Sequence, residues 1–176
     1  MVHLQTERLT LREFVEADLE HLLALDSDPE VMRYISDGHP RGPELVRALL
    51  EDCMAGYLQK TGFGFWAAIE RPTDEFIGWF HFRPDRELPK ENEVGYRLKR
   101  TAWGRGLATE GASALIRKGF DEQGVHSVTG RTMKANEASA KVLRKAGLTL
   151  VGEYQEERFP GADKAALLWR LAVGDS

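Results

Sequence analysis

The segment Arg100-Thr-Ala-Trp-Gly-Arg-Gly-Leu-Ala-Thr-Glu-Gly111 sets minimal side chains at Gly104, Gly106 and Ala108, on a turn that runs into an amphipathic helix. Leu107, Gly111, Leu115, Ile116, Gly119 and Phe120 recur on one face of that helix, as an α period requires. A helix start offers unpaired backbone N–H groups and about half a positive charge. Glycine just ahead of it lets a phosphate approach the backbone closely. The segment reads as a pyrophosphate cradle, with a tight strand-to-helix turn as the plain alternative. Two phosphate motifs are excluded. No Gly-Lys-Ser or Gly-Lys-Thr occurs for a Walker loop, and Thr109 stands where a dinucleotide fingerprint needs its third glycine. Glu91 and Glu93 stand two apart on a strand-like segment and so share a face, where a carboxylate can act as a base or as a solvated edge.

These residues need elements to hold them. Leu9 and Leu11 alternate with polar neighbours, giving a strand at about 8–14. Residues 18–25 have helical spacing, and Asp28-Pro29 caps and opens a short helix. The glycines and prolines of 36–43 make a loop, and Pro43 opens a helix striped by Leu45, Val46, Leu49, Leu50, Met54 and Tyr57. Phe63–Ile69 and Phe76–Phe82 form a hairpin across the turn Arg71–Asp74. A fourth strand follows at 91–98. Beyond the cradle helix come a strand at 127–132, a helix capped by Asn136 and ended by Gly147, and strands near 148–154 and 165–171. The order predicts an α/β (α+β) domain with a mixed, mostly antiparallel seven-stranded sheet flanked by helices.

Size and composition bound the rest. At 176 residues, 42% hydrophobic and 30% charged, the chain is expected to form a single domain over 1–176. No apolar run approaches the ~20 residues of a membrane span, and the N-terminus lacks a basic-then-apolar leader. Cys53 is the sole cysteine, so no intrachain disulfide or cysteine zinc cluster can form. A cytoplasmic location without membrane contact is expected. The net charge of −4 argues against nonspecific nucleic-acid binding. The five histidines, His3, His21, His39, His81 and His126, are scattered without metal-ligand spacing, so no metal is expected. Gly111-Ala-Ser-Ala-Leu115 lacks the last glycine of a nucleophile elbow, which excludes a serine hydrolase.

Small residues at 104, 106 and 108 resemble the acyl-CoA signature [QR]-x-x-G-x-[GA] of the GCN5-related N-acetyltransferase (GNAT) superfamily, with Trp103 at the first position, Gly106 at the fourth and Ala108 at the sixth. Tryptophan departs from the general pattern, but W-G-[KR]-G-x-[AG]-T-E-[AG] is similar to the RimJ/RimL-type branch. Thr6–Phe14, Asp28–Tyr34, Asn136–Ser139 and Lys145–Leu148 resemble further segments of that branch in order, from about residue 4 to 172. The resemblance implies the GNAT fold, with splayed strands four and five and CoA in the gap. It also implies transfer of an acetyl group from acetyl-CoA, as co-substrate, to a primary amine. The acceptor would be a protein N-terminal α-amine or a small-molecule amine, attacking directly through a tetrahedral intermediate. A noncatalytic acyl-CoA-binding module is the alternative, and monomer and homodimer both stand open.

Such a transfer needs a grip on the donor, a base, an oxyanion donor and an acid. The main chain of Gly104, Arg105, Gly106, Leu107, Ala108 and Thr109, flanked by Trp103, would hold the pyrophosphate, with Arg105 adding a cation and Thr109 a hydroxyl. By resemblance, Arg97 and Leu98 lie along the pantetheine arm. Asn136 is a helix cap, and with Ser139 it would also meet the CoA arm. Glu93 is the first candidate base and Glu91 the second. Gly95 suits a bulge that turns a backbone N–H toward the oxyanion. Ser139 and Tyr154 are candidate acids, and Tyr154 also reads as a core aromatic. Glu153, Glu156, Glu157 and Asp163 form either a solvated acidic loop or the wall of an ammonium pocket.

Overall fold

The hairpin read from the two aromatic runs lies at the centre of the sheet. In the computed structural model, which describes residues 1–35, 37–59, 61–157 and 164–174, β3 (Gly64–Glu70) and β4 (Glu75–Pro84) pair antiparallel. Both runs read as nearly continuous apolar stretches because both faces of the sheet are covered. Trp66, Ala68, Phe80 and Phe82 enter one core cluster, whereas Ala67, Ile69, Phe76 and Trp79 enter the other. Helices α1 (Leu19–Asp26), α2 (Pro29–Met32) and α3 (Pro43–Gly56) cover the second face with Leu22, Leu25, Val31, Val46 and Leu50. Helices α4 (Leu107–Glu122) and α5 (Glu137–Lys145) cover the first with Leu107, Leu115, Ile116 and Leu143.

Eight strands are found among the described residues, in the order β1-β2-β3-β4-β5-β6-β8-β7, where seven are expected from sequence. The extra one is β1 (Val2–Gln5), an edge strand too short to show a period. It pairs with β2 (Leu9–Arg12), and His3 stacks on Trp66 with ring centroids 3.8 Å apart. The remaining strands are β5 (Asn92–Leu98), β6 (Ser127–Met133), β7 (Thr149–Gln155) and β8 (Ala165–Ala172).

One junction matters for function. Among the described residues β5 and β6 are the only parallel neighbours, joined by the crossover through α4, and they pair only at Asn92↔Val128 and Glu93↔Thr129. Beyond Glu93 the strands diverge, and the edge of β5 that faces β6 has no strand partner among the described residues. Helix α4 is pressed against β4 beside this gap. A Cβ on Gly111 would lie 2.4 Å from Phe80 Cζ, and one on Gly119 2.5 Å from Phe82 Cζ. The two helix glycines thus set how closely the cradle approaches the sheet.

Candidate active site

The cradle is formed by two glycines in the left-handed region, Gly104 (φ 71°) and Gly106 (φ 81°), the latter capping α4. A side chain at either would be strained. The first bond of the helix ladder runs from the Glu110 N–H to the Gly106 carbonyl at 3.0 Å. The N–H groups of Leu107, Ala108 and Thr109 therefore have no intrahelical acceptor. Nothing lies within 4 Å of a Cβ built on Gly104, so the approach is open. These features fit a pyrophosphate at the helix start.

What holds the loop is not visible from its own residues. The Glu110 carboxylate accepts from Thr6 Oγ1 (2.6 Å), the Arg8 N–H (2.9 Å) and Arg8 Nε (2.7 Å), and Arg8 Nη1 donates to the Arg105 carbonyl at 2.9 Å. The corner before β2 is thereby fastened under the cradle. The Arg105 guanidinium binds the Glu70 carboxylate and is absent from the cavity wall, so Arg105 faces the cradle with its main chain. Leu107 is also absent from the wall because it is buried, and it offers only its N–H, while Gly106, Ala108 and Thr109 line the cavity. Trp103 is half exposed, and its indole donates to the Leu98 carbonyl at 2.8 Å, fixing the end of β5.

From the cradle a cavity of about 880 Å³ runs along the β5–β6 gap, lined by Arg97, Leu98, Asn136, Ser139, Glu93 and Tyr154 among others. Glu93, Ser139, Tyr154, Asn136, Leu98 and the cradle residues Gly104, Gly106, Ala108 and Thr109 therefore meet in one space, which Glu91 and the Arg105 and Leu107 side chains do not reach. The Arg97 side chain turns inward, paired with buried Asp26 and stacked 4.9 Å over Trp79, so only its main chain can follow a pantetheine arm. Asn136 caps α5 by accepting from the Ser139 N–H at 3.1 Å. The Ser139 hydroxyl accepts from Tyr96 at 3.1 Å, a partner sequence reasoning missed. Burial raises the Tyr154 phenol to about 12, so it stays protonated near neutrality.

Glu93 sits in a charged nest. Its carboxylate accepts from Arg83 (2.5 Å) and Arg131 (3.3 Å), and it faces His81 Nε2 at 3.6 Å. Burial alone would raise its pKa, but the His81 ring and the two guanidiniums outweigh burial and bring it to about 2. Arg131 is itself oriented by Asp85, whose side chain is closed to solvent and also accepts from Thr129 at 2.5 Å. Glu91 lies outside the cavity, bound to Ser127 (2.6 Å) and Arg170 (3.0 Å). The register of β4 with β5 is unbroken from Gly78↔Leu98 to Pro84↔Asn92, so the bulge expected at Gly95 is absent. Glycine is needed there because the His81 ring fills the space of a Cβ, at 2.6 Å. Of the acidic residues near the last hairpin, Glu153 pairs with Lys134 and Glu157 with Lys164, Glu156 lines the cavity, and Asp163 lies outside the described residues, as does Ser36 of the earlier loop. Among the described residues, no group of His, Cys, Asp or Glu is arranged to hold a metal, and no helix is long and apolar enough to cross a membrane.

Residues 8–149 match the family described as acetyltransferase (GNAT) domain. The chain is 35% identical over 158 residues to the FsC-acetyl coenzyme A-N(2)-transacetylase of Aspergillus fumigatus, covering 84% of this chain and 65% of that protein's length. It is 30% identical to the uncharacterized N-acetyltransferase YoaA of Bacillus subtilis, over 85% of this chain and 84% of that one. In structure it is similar to RimL, a ribosomal L7/L12 α-N-protein acetyltransferase solved with coenzyme A, with a TM-score of 0.82, 18% identity and 98% of each chain covered. At that identity the likeness concerns the fold.

Proposed function

This chain belongs to the acetyltransferase (GNAT) domain family of acyltransferases, and we propose that it moves an acetyl group from acetyl-CoA to the α-amine of a peptide or small molecule. The observation that carries this reading is continuity: the cradle at Gly104–Thr109 opens into the same cavity that holds Glu93, Ser139 and Tyr154. The main-chain N–H groups at the start of α4 hold the pyrophosphate, and the free edge of β5 beyond Glu93 pairs with the pantetheine amides. A β5 N–H facing the gap meets the oxyanion as the amine attacks, a contact worth about 3 kcal/mol when well aimed.

The acceptor class follows from the cost of losing a proton. A lysine ammonium, with pKa about 10.4, costs about 4–5 kcal/mol to neutralise at pH 7, while an α-amine near 7.8 costs only ~1. Glu93, expected as the base, is held as a carboxylate near pKa 2 and takes protons poorly. We assign it an electrostatic role, a fixed negative charge that favours positive charge in the cavity as the amine reacts. Tyr154, protonated across the working range, or Ser139, linked to Tyr96, returns a proton to the leaving thiolate. The 1–176 chain acts as one such domain, in the cytoplasm. The test is thiol release from acetyl-CoA with a panel of amino-acid amides, short peptides and polyamines. Fastest release is expected with α-amines. Bound acetyl-CoA without release for any amine would leave a noncatalytic binding module instead.

A further inference from the structure

The cavity contains a titratable side chain that the assignments above leave without a task. His81, on β4, lines the wall between the aromatic faces of Phe65 (centroids 5.0 Å, edge-on) and Trp79 (5.9 Å, stacked). Its side chain is 12% exposed, and both ring nitrogens are shut from solvent with no hydrogen-bond partner. Buried polar atoms normally find hydrogen bonds, so an imidazole on a cavity wall with none, and with only the Glu93 carboxylate 3.6 Å from Nε2, calls for an explanation. Its position is specific. His81 lies opposite Gly95 in the β4–β5 register, and its ring covers the Gly95 α-carbon in the stretch of β5 whose β6-facing edge has no strand partner among the described residues.

Resting on the acetyl-transfer reading, we propose that His81 is the general base, with Glu93 as the positioning residue behind it. The facing Glu93 carboxylate, 3.6 Å from Nε2, favours the tautomer protonated there and leaves the lone pair on Nδ1, while the Cε1–Nε2 edge of the ring lies over Gly95. Neither nitrogen is open to solvent, so the ring turns about its Cβ–Cγ bond to meet the amine, the tightening expected of a base when substrate binds. An ammonium that becomes an amide loses two protons. His81 accepts one and passes it to solvent. The nitrogen lone pair forms the C–N bond, the C–S bond breaks with its pair on sulfur, and the second proton ends on the CoA thiol. Glu93 steadies the imidazolium as the carboxylate of a hydrolase triad steadies its histidine.

The charges that face the ring are Glu93 from β5, Arg83 on β4 and Arg86 just beyond it, with Arg131 of β6 acting through Glu93. Burial lowers the His81 pKa more than Glu93 raises it, and the two arginines lower it further, so the neutral base persists at pH 7. The test compares wild type with His81→Gln and Glu93→Gln, using acetyl-CoA and the panel amine with the fastest thiol release. His81→Gln is expected to lower kcat by about 10²–10⁴ while leaving the Kd for CoA within twofold. The acid limb of kcat, seen in wild type below the ordinary histidine range, should disappear. Glu93→Gln should move that limb to lower pH. An unchanged kcat or an unchanged limb in His81→Gln overturns the proposal while the acetyl-transfer reading stands. If no amine reacts, the reading itself fails. Where an amine does react, NMR of the ring in the CoA complex is a second check: an imidazolium at pH 7 overturns the assignment and a neutral ring titrating below the ordinary value supports it.

Discussion

Tyr154 and Ser139 both reach the cavity, but they face different constraints. The Tyr154 phenol holds its proton because it is half buried, whereas the Ser139 hydroxyl shares the β5–α5 seam with Tyr96. A general acid contributes about 10²–10⁴ in rate. Tyr154→Phe is expected to lower kcat within that range with little change in acetyl-CoA affinity. Ser139→Ala should act on both, because Ser139 lies next to the Asn136 cap; steady-state kinetics with CoA calorimetry separates the two. The contrast with His81 shows what a sequence can say about single residues. Asn136 is legible because its partner, the Ser139 N–H, is three residues away. His81 looks like one of five scattered histidines until the β4–β5 register sets it over Gly95. Glu110 is hidden in the same way, since the hydroxyl it binds lies 104 residues distant.

At the scale of elements, α4 and the sheet behind it form one device. Gly111 reads from sequence as a position on the apolar face, but only packing shows why it has no side chain. A methyl there would meet three ring atoms of fully buried Phe80 at 2.4–2.9 Å. Overpacking of this kind costs about 1–3 kcal/mol, against about 1 kcal/mol gained in helix propensity. Gly111→Ala is therefore expected to lower Tm and, by tilting the start of α4, to weaken acetyl-CoA binding; a Tm and Kd equal to wild type would show that α4 has slack. The other elements were mostly legible, because apolar periods, Pro29, Pro43 and the Asn136 cap are local signals. β1 was not, having four residues and an edge position. The seventh and eighth strands were placed within a residue or two, yet their reversed spatial order β8-β7 leaves no local trace.

For the whole molecule, the site's charges become a pH dependence of stability. Asp85, Asp18 and Glu110 are all held below the ordinary carboxylate range: in each case burial raises the pKa and facing hydrogen bonds and guanidiniums lower it further. A depressed carboxylate contributes stability that is present above its unfolded pKa and is lost as pH falls through its folded one. His3, lowered to about 4 mainly by burial, and His81 resist the proton that the unfolded chain binds below about 6.5. The urea midpoint is thus expected to hold from pH 8 to 7, decline gently below about 6.5 and fall steeply below about 4, with Asp85→Asn less stable at pH 7 and flatter at the acid end. An acid limb of equal slope in Asp85→Asn would remove the ion pair to Arg131 from the account.

The same charges would serve the proposed chemistry, because one continuous cavity joins the cradle assigned above to a CoA thioester with the residues assigned to proton transfer. Mass spectrometry of a reaction holding acetyl-CoA and the amine panel tests that claim most directly. The account predicts an acceptor heavier by one acetyl group, free CoA in equal amount and no acetyl on the protein. Acetyl-CoA bound but recovered intact with every amine, or an acetyl group resting covalently on the protein, would contradict it.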